Sequence, residues 1–214
     1  MFPSSQFSSE EAKRLQRVLS KRVIRKDLLP APITHVAGVD VAYREEYSIA
    51  AVAVLDYASM RLKETKMSRQ KTEFPYRSTF LSFRELAPVV SAMKKLRTQP
   101  DVTLVDGHGI AHPRRLGFAS HLGLVLDAPT IGVAKSLLCG KIEDDGNELW
   151  RPAIHRDETV GAAVFTKPHV KPVYVSIGHK VSLKTAIDIV LHCASKYRTP
   201  EPLRAAHMTA HSLT

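Results

Sequence analysis

Cysteine is scarce in this chain. Cys139 and Cys193 are the two in 214 residues, too few for a disulfide framework and with no CxxC pair to hold a metal. Both are expected to be reduced thiols in a cytosolic protein. Long apolar runs are missing as well: the longest, Ile49 to Leu55, has seven residues, against the roughly 20 that a membrane helix needs. The stretch MFPSSQFSSEEAKRL has no basic segment followed by an apolar core, so no signal peptide is expected. Repeats and low-complexity segments are absent. Acids are outnumbered, 21 Asp and Glu against 31 Lys and Arg, which gives a net charge of +10 and a pI near 9.7. That excess favours a polyanionic partner, of which nucleic acid is the commonest. What is present is ordinary for a water-soluble globule, 44% hydrophobic and 24% charged residues. The length suits one domain over residues 1–214, with a helical region at 1–30 packed on it.

The apolar pattern gives the order of elements. Ser8 and Glu11 fit a capping box, and Leu15, Val18, Leu19 and Val23 recur at helical spacing, so a helix is expected over about 9–25. Seven basic residues lie between Lys13 and Lys26; a solvated helix face explains them as well as a nucleic-acid contact does. Three strands follow, over His35–Tyr43, Ser48–Asp56 and Arg61–Lys71. The first two are nearly continuous in apolar residues, as in a strand covered on both faces. FPYRSTFLSF reads as a loop, 84–97 as a helix, 102–105 as a buried strand, 115–124 as a helix and 130–134 as a strand. Residues 140–160 are polar and irregular, a hairpin or a loop. A strand at 173–177 and a helix over 182–196 capped by Ser182 come next, and the tail reads as an extended proline segment with a short helical turn. A three-strand meander followed by α/β units makes an α/β fold, a mixed central sheet with helices on both faces.

Acids inside apolar strands are the informative anomaly. Asp40 sits in HVAGVDVAY, and a lone carboxylate there needs a partner or a metal. Asp106 ends the strand DVTLVDG, where open α/β sheets place their sites, and Glu85 opens the helix after FLSF. The topology lets these three meet, although 45 and 21 residues separate them in sequence. Carboxylate oxygens select hard cations such as Mg²⁺ or Mn²⁺ over Zn²⁺, and each acid alone could equally be a cap or an ion-paired surface group. His108 and His112 in DGHGIAHPRRLG are four apart, but Gly107, Gly109 and Pro113 argue against the helix that a zinc pair would need. The glycines let backbone approach a ligand. Arg114 and Arg115 suit anions or a surface turn. Lys135 after the strand PTIGVA could steady a phosphate or a water, or reach solvent. On spacing alone His207 reads as a surface histidine.

Together the stretches VAGVDVAY, FPY with FLSFRE, PDVTLVDGHGIAHPRRLGFASHLGL, PTIGVAKSLLCGK, PVYVSIGHKVS and RTPEPLRAAH resemble the endonuclease V family of the ribonuclease H-like superfamily, over about 36–207. The resemblance implies a ribonuclease H-like sheet and a metal-dependent DNA repair endonuclease. Its implied reaction hydrolyses the second phosphodiester bond 3′ to deoxyinosine, leaving 3′-hydroxyl and 5′-phosphate ends. Inosine-containing RNA is the alternative substrate. By the same resemblance Asp40, Glu85 and Asp106 bind the metal, Mg²⁺ with Mn²⁺ able to substitute, and His207 assists the metal or the water. His112 and Lys135 match substrate-phosphate or active-site contacts. Leu81, Gly107 and Phe118 line a pocket for an extruded base, and Tyr76 fills the gap it leaves. Family members carry a wedge loop reading roughly PYIPG. Here Pro75 and Tyr76 stand, but Arg77, Ser78 and Thr79 replace the rest, which predicts a less rigid loop and a possible strand contact from Arg77. The implied protein is a cytoplasmic monomer without membrane contact.

The +10 charge carries a prediction. Affinity for an inosine-bearing duplex, measured by anisotropy, should fall roughly 10³-fold between about 50 and 200 mM salt if some six phosphates are contacted. A flat salt dependence would remove the charge from the account of binding.

Overall fold

The computed structural model describes residues 8–212 except 145 and 147. The first seven residues, on which the signal-peptide expectation partly rests, lie outside the described residues. Helix α1 (Ser9–Ser20) opens on the expected capping box: the Ser8 side chain accepts from the Glu11 amide at 3.2 Å, and the Ser8 amide donates to Glu11 Oε2 at 2.8 Å. It stops short of residue 25 because the chain turns to pair elsewhere. The Ile24 amide bonds His179 Nδ1 at 3.2 Å, and the Lys180 amide bonds the Ile24 carbonyl at 2.7 Å.

Nine strands form one sheet: β1 (His35–Arg44), β2 (Tyr47–Asp56), β3 (Leu62–Lys71), β4 (Val102–Asp106), β5 (Thr130–Ala134), β6 (Lys141–Ile142), β7 (Trp150–His155), β8 (Glu158–Val164) and β9 (Val173–His179). Their order is β3-β2-β1-β4-β5-β9-β8-β7-β6. The meander β1–β3 is antiparallel, β4 and β5 run parallel to β1, and β9 returns antiparallel to β5. This is the mixed sheet of a ribonuclease H-like fold. The polar stretch over 140–160 extends it. β7 and β8 form a hairpin whose turn residues, Arg156 and Asp157, both have left-handed φ, 55° and 59°. Such a turn normally advertises itself with Asn-Gly or Gly-Gly, and here no glycine marks it.

The remaining helices are α2 (Leu81–Met93), α3 (Phe118–Leu126), α4 (Leu183–Cys193) and α5 (Glu201–His211). α2 begins three residues before Arg84, drawing LSF out of the expected loop, and contains Pro88. α3 cannot begin at Arg115, whose φ is +57°. The tail differs most from expectation: eleven residues of α5 replace a short turn, with Pro202 in its first turn, where the missing N–H costs nothing.

Alternation along the strands assigns the faces. Val36, Leu104 and Ile131 pack with Ile187 and Val190 of α4 and Leu203 and Ala206 of α5. Ala37, Val39, Val52 and Val105 pack with Leu86 and Val89 of α2 and Phe118 and Leu122 of α3. Helices therefore cover both faces, as the meander-plus-α/β pattern predicts. α1 packs through Ala12 and Leu15 against Phe74, Phe80 and Phe83. No helix among the described residues is long and apolar enough to cross a membrane.

Gly38 permits the closest contact between β1 and α5. A Cβ there would lie 2.1 Å from the Pro202 carbonyl carbon and oxygen, so α5 would have to move. Gly38→Ala should cost at least about 2 kcal/mol, read as a lower denaturant midpoint. An unchanged midpoint would mean that α5 is not seated on β1 as described.

Candidate active site

Register brings the two strand acids together. β1 and β4 run parallel with Val39 opposite Val105, and Asp40 and Asp106 are the next residue on each strand. Both occupy the same-face series as Val36 and Leu104. Each already has a basic partner. Asp40 Oδ2 lies 2.7 Å from His207 Nδ1 on α5, and Asp106 Oδ2 accepts from Lys135 Nζ at 2.8 Å. That hydrogen bond holds the Lys135 pKa above its ordinary value. His207 is thus not the plain surface histidine its spacing suggests. A full helix, instead of a turn, carries it to Asp40.

Glu85 comes from the second turn of α2 and is buried. Its Oε1 accepts from the Tyr43 hydroxyl at 2.6 Å, and the Arg84 guanidinium lies over the Tyr43 ring, 4.0 Å from its centroid. Burial first, and then the negative charges of Asp40 and Asp106, push the Glu85 pKa up to about 8 against the opposing Tyr43 hydrogen bond. Burial and the Glu85 charge in turn raise the Tyr43 hydroxyl. Glu85 senses the charge of both strand acids, but the three acids do not form the tightest group. Among the described residues, one trio of potential ligand atoms lies within 4.8 Å of each other: Asp40, His207 and His211.

Asp106 and Lys135 also border a cavity of about 310 Å³ that Tyr76, Leu81, Gly107 and Phe118 line. The neighbouring loop carries Pro75, Tyr76 and Arg77. Tyr76 is 71% exposed, and Arg77 donates to Ser9 Oγ on α1 at 2.7 Å, so its charge is turned toward the amino-terminal helix. Thr79, where the wedge motif has glycine, holds a φ of +70°, which a β-branched residue rarely adopts. Hydrogen bonds hold it there. Its carbonyl accepts from Gln16 Nε2 at 2.9 Å and Arg114 at 3.3 Å and lies 3.0 Å from His112 Nε2, while its hydroxyl accepts from Arg114 at 2.5 Å. The loop is anchored by polar contacts in place of proline and glycine. His112 borders the cavity, yet both its nitrogens serve the protein: Nδ1 accepts from the Arg114 amide at 3.2 Å, so Nε2 carries the proton toward Thr79. Burial drives its pKa down to about 4.

The zinc alternative for His108 and His112 finds no support, since His108 Nε2 faces the Ser136 carbonyl at 2.9 Å. Arg114 and Arg115 act as internal anchors, Arg115 binding Glu158 at 2.6 Å and the His155 carbonyl at 2.9 Å. Sequence reasoning missed Tyr43, Gln16 and His211. The spacing of His207 and His211 was a legible signal once the tail is taken as a helix, because residues four apart share a face. Both cysteines are free thiols.

Glu85 yields a stability prediction for the metal-free protein. Its folded pKa, about 8, exceeds the ordinary carboxylate value of 4.5, so the folded state binds the proton more tightly, and stability falls as pH rises from about 4.5 to 8. Glu85→Gln should therefore stabilise the protein by about 2–4 kcal/mol near pH 8, with the gain vanishing below about pH 4.5. Denaturant melts at the two pH values check this, and a pH-independent difference would contradict it.

Comparison with known proteins places the chain among relatives. The Endonuclease V family profile matches residues 17–208. An endonuclease V of Trichormus variabilis is 52% identical over 205 residues, covering 94% of this chain and 93% of that protein. The crystal structure of endonuclease V from Streptomyces avermitilis superposes with a TM-score of 0.91 at 39% identity, over 99% of this chain and 94% of that one. Ciona intestinalis endonuclease V, solved with a 23mer DNA containing an inosine followed by a ribo-adenosine, superposes with a TM-score of 0.87 at 33% identity, over 97% and 98% of the two chains. The profile's span takes in β1, the loop after β4 and most of α5, and the chain belongs to the endonuclease V family.

Proposed function

We propose that this protein is a divalent-metal-dependent DNA repair endonuclease that hydrolyses the second phosphodiester bond 3′ to a deaminated purine, chiefly deoxyinosine, leaving 3′-hydroxyl and 5′-phosphate ends. The observation that carries this reading is the position of the Asp106–Lys135 pair, which borders the cavity lined by Tyr76, Leu81, Gly107 and Phe118 while Asp106 raises the Glu85 pKa. Base recognition and phosphate chemistry would then share one edge. The Ciona relative's inosine-containing DNA supports the substrate class. Its ribo-adenosine keeps inosine-containing RNA as the second reading.

The donor set fits a hard cation. Asp40, Glu85 and Asp106 supply carboxylate oxygens, and their crowding, felt at Glu85, is relieved by positive charge. Mg²⁺, with Mn²⁺ able to substitute, matches such donors and retains several waters, so the acids need not all touch it. When bound, the ion supplies Lewis acidity that favours hydroxide over water and offsets charge on the phosphorane. The chain's own residues do the rest. His207 orients Asp40, and Tyr43 fixes Glu85. Lys135 holds a phosphate oxygen or the attacking water beside Asp106. Extruding a base costs a few kcal/mol, least where pairing is already weak, as opposite hypoxanthine. Tyr76, flanked by Pro75 and Arg77, fills the space it leaves. Backbone of Leu81, Gly107 and Phe118 meets the base edge and excludes an exocyclic amine, which separates hypoxanthine from adenine. His112 fixes the loop through Thr79. Residues 1–214 act as one monomeric unit in the cytoplasm.

A time course on one end-labelled inosine duplex, with the cut position mapped, tests the reading. Nicking should require Mg²⁺ or Mn²⁺, stop with EDTA, and fall at least about 10³-fold in Asp40→Ala and Asp106→Ala while circular dichroism stays native. Full activity in either variant, or in EDTA, would refute it. Faster cutting of a matched inosine RNA strand would transfer the reading to RNA.

A further inference from the structure

Arg17, Arg114, Arg115 and Arg156 line a cavity of about 410 Å³ together with Pro113. They come from three separate segments, α1, the loop after β4 and the β7–β8 turn, so the fold and not a charged run assembles them. Two of them fasten the walls. Arg114 Nε donates to Gln16 Oε1 on α1 and its Nη2 to the Thr79 hydroxyl, each at 2.5 Å. Arg115 Nε donates to Glu158 at 2.6 Å and its Nη2 to the His155 carbonyl at 2.9 Å. The other two stand at the rim. Arg17 and Arg156 are exposed, and neither guanidinium donates a hydrogen bond among the described residues. The acids that act on this region are already engaged: Glu158 is shared by Arg25 and Arg115, and Glu10, whose charge reaches Arg17 and Arg114, pairs with Lys13 at 2.5 Å. Burial, and then the charge of Arg17, lower the Arg114 pKa, so positive charge is left uncompensated.

From this arrangement we infer that Arg17, Arg114, Arg115 and Arg156 form a phosphate-binding pocket that takes a backbone phosphate of a nucleic-acid strand. The guanidinium fork matches phosphate oxygens through paired N–H donors. Arg17 and Arg156 supply free forks, while Arg115, engaged at each nitrogen, contributes mainly charge. The position favours a strand over a free ion. Gln16, His112 and Leu116 line the cavity beside Asp106, and their immediate neighbours Arg17, Pro113 and Arg115 line this one, so the two cavities share a wall. A phosphate held here anchors the strand beside the loop that carries Tyr76, because Arg114 also holds Thr79. The inference rests on the proposed function for the class of ligand but not for the lesion, since phosphate contacts carry no sequence information.

The test measures binding of an inosine-free duplex to the full chain by anisotropy over a range of salt. The variant combines Arg17→Gln with Arg156→Asn, asparagine being chosen because it tolerates the left-handed φ of 55° at that turn. Affinity should fall at least about tenfold, and the slope of log affinity against log salt should flatten by about 1 to 2, with an unchanged melting temperature. A control of equal charge change, Arg61→Gln with Lys63→Gln at the β2–β3 connection, should alter affinity less than about twofold. Unaltered affinity and slope in the pocket variant, or an equal loss in the control, would overturn the pocket. Inorganic phosphate separates the remaining source: if it raises the melting temperature of the parent but not of the variant while duplex affinity is the same in both, the pocket serves a free anion and the strand reading is overturned. Nicking of the inosine duplex is followed in parallel. Its absence would count against the proposed function and leave the inosine-free binding result standing.

Discussion

Carboxylates that repel one another do not gather at the end of a sheet unless something nearby offsets them, and this tension organises the molecule. Asp40 and Asp106 are brought level by the register of two parallel strands, and Glu85 is buried within range of both charges. Each is met by a different device. Lys135 answers Asp106 with an ion pair, His207 answers Asp40 across the gap to α5, and Tyr43 answers Glu85 with a hydrogen bond, which leaves much of the burial cost in place. Protonation is the remaining outlet, and the raised Glu85 pKa expresses it. A divalent cation relieves the same tension more completely, which is why the acid set suits one.

The supporting elements follow from that requirement. α5 must lie close enough to β1 for His207 to reach Asp40, and the absent side chain of Gly38 provides the room. The β4 loop must pass near β5, and a Cβ on Gly132 would come within 2.4 Å of the Gly109 amide. Lys135, just beyond β5, gains its position beside Asp106 from the same parallel pairing of β4 and β5. The sheet thus sets the coordinates of the acids, and the helices on its two faces deliver their partners.

Much of this was legible in the amino-acid order because burial leaves a strong imprint. Asp40 stood out against the apolar run of β1, Asp106 against that of β4, and the Ser8–Glu11 box marked the start of α1. Other features were silent for identifiable reasons. The β7–β8 hairpin turns on Arg156 and Asp157 in left-handed conformations, without the glycine that usually betrays such a turn. Pro200 caps α5, Pro202 lies in its first turn, and strong apolar positions are few, so its eleven residues look like a tail. That error concealed His211 and made His207 look idle. Tyr43 and Gln16 could not have been chosen on type alone, since their importance lies in the groups that meet them across 42 and 63 residues of chain.

The Thr79 carbonyl has one further property. Gln16 Nε2 lies 2.9 Å away, His112 Nε2 3.0 Å and Arg114 3.3 Å, but an sp² oxygen has two lone pairs to offer. The acceptor is oversubscribed, and the three donors rank by distance, with the guanidinium last. Loss of any one donor still leaves such a hub with a partner. The segment bearing Tyr76 is therefore tied through a single oxygen to the amino-terminal helix and to the loop after β4 at once.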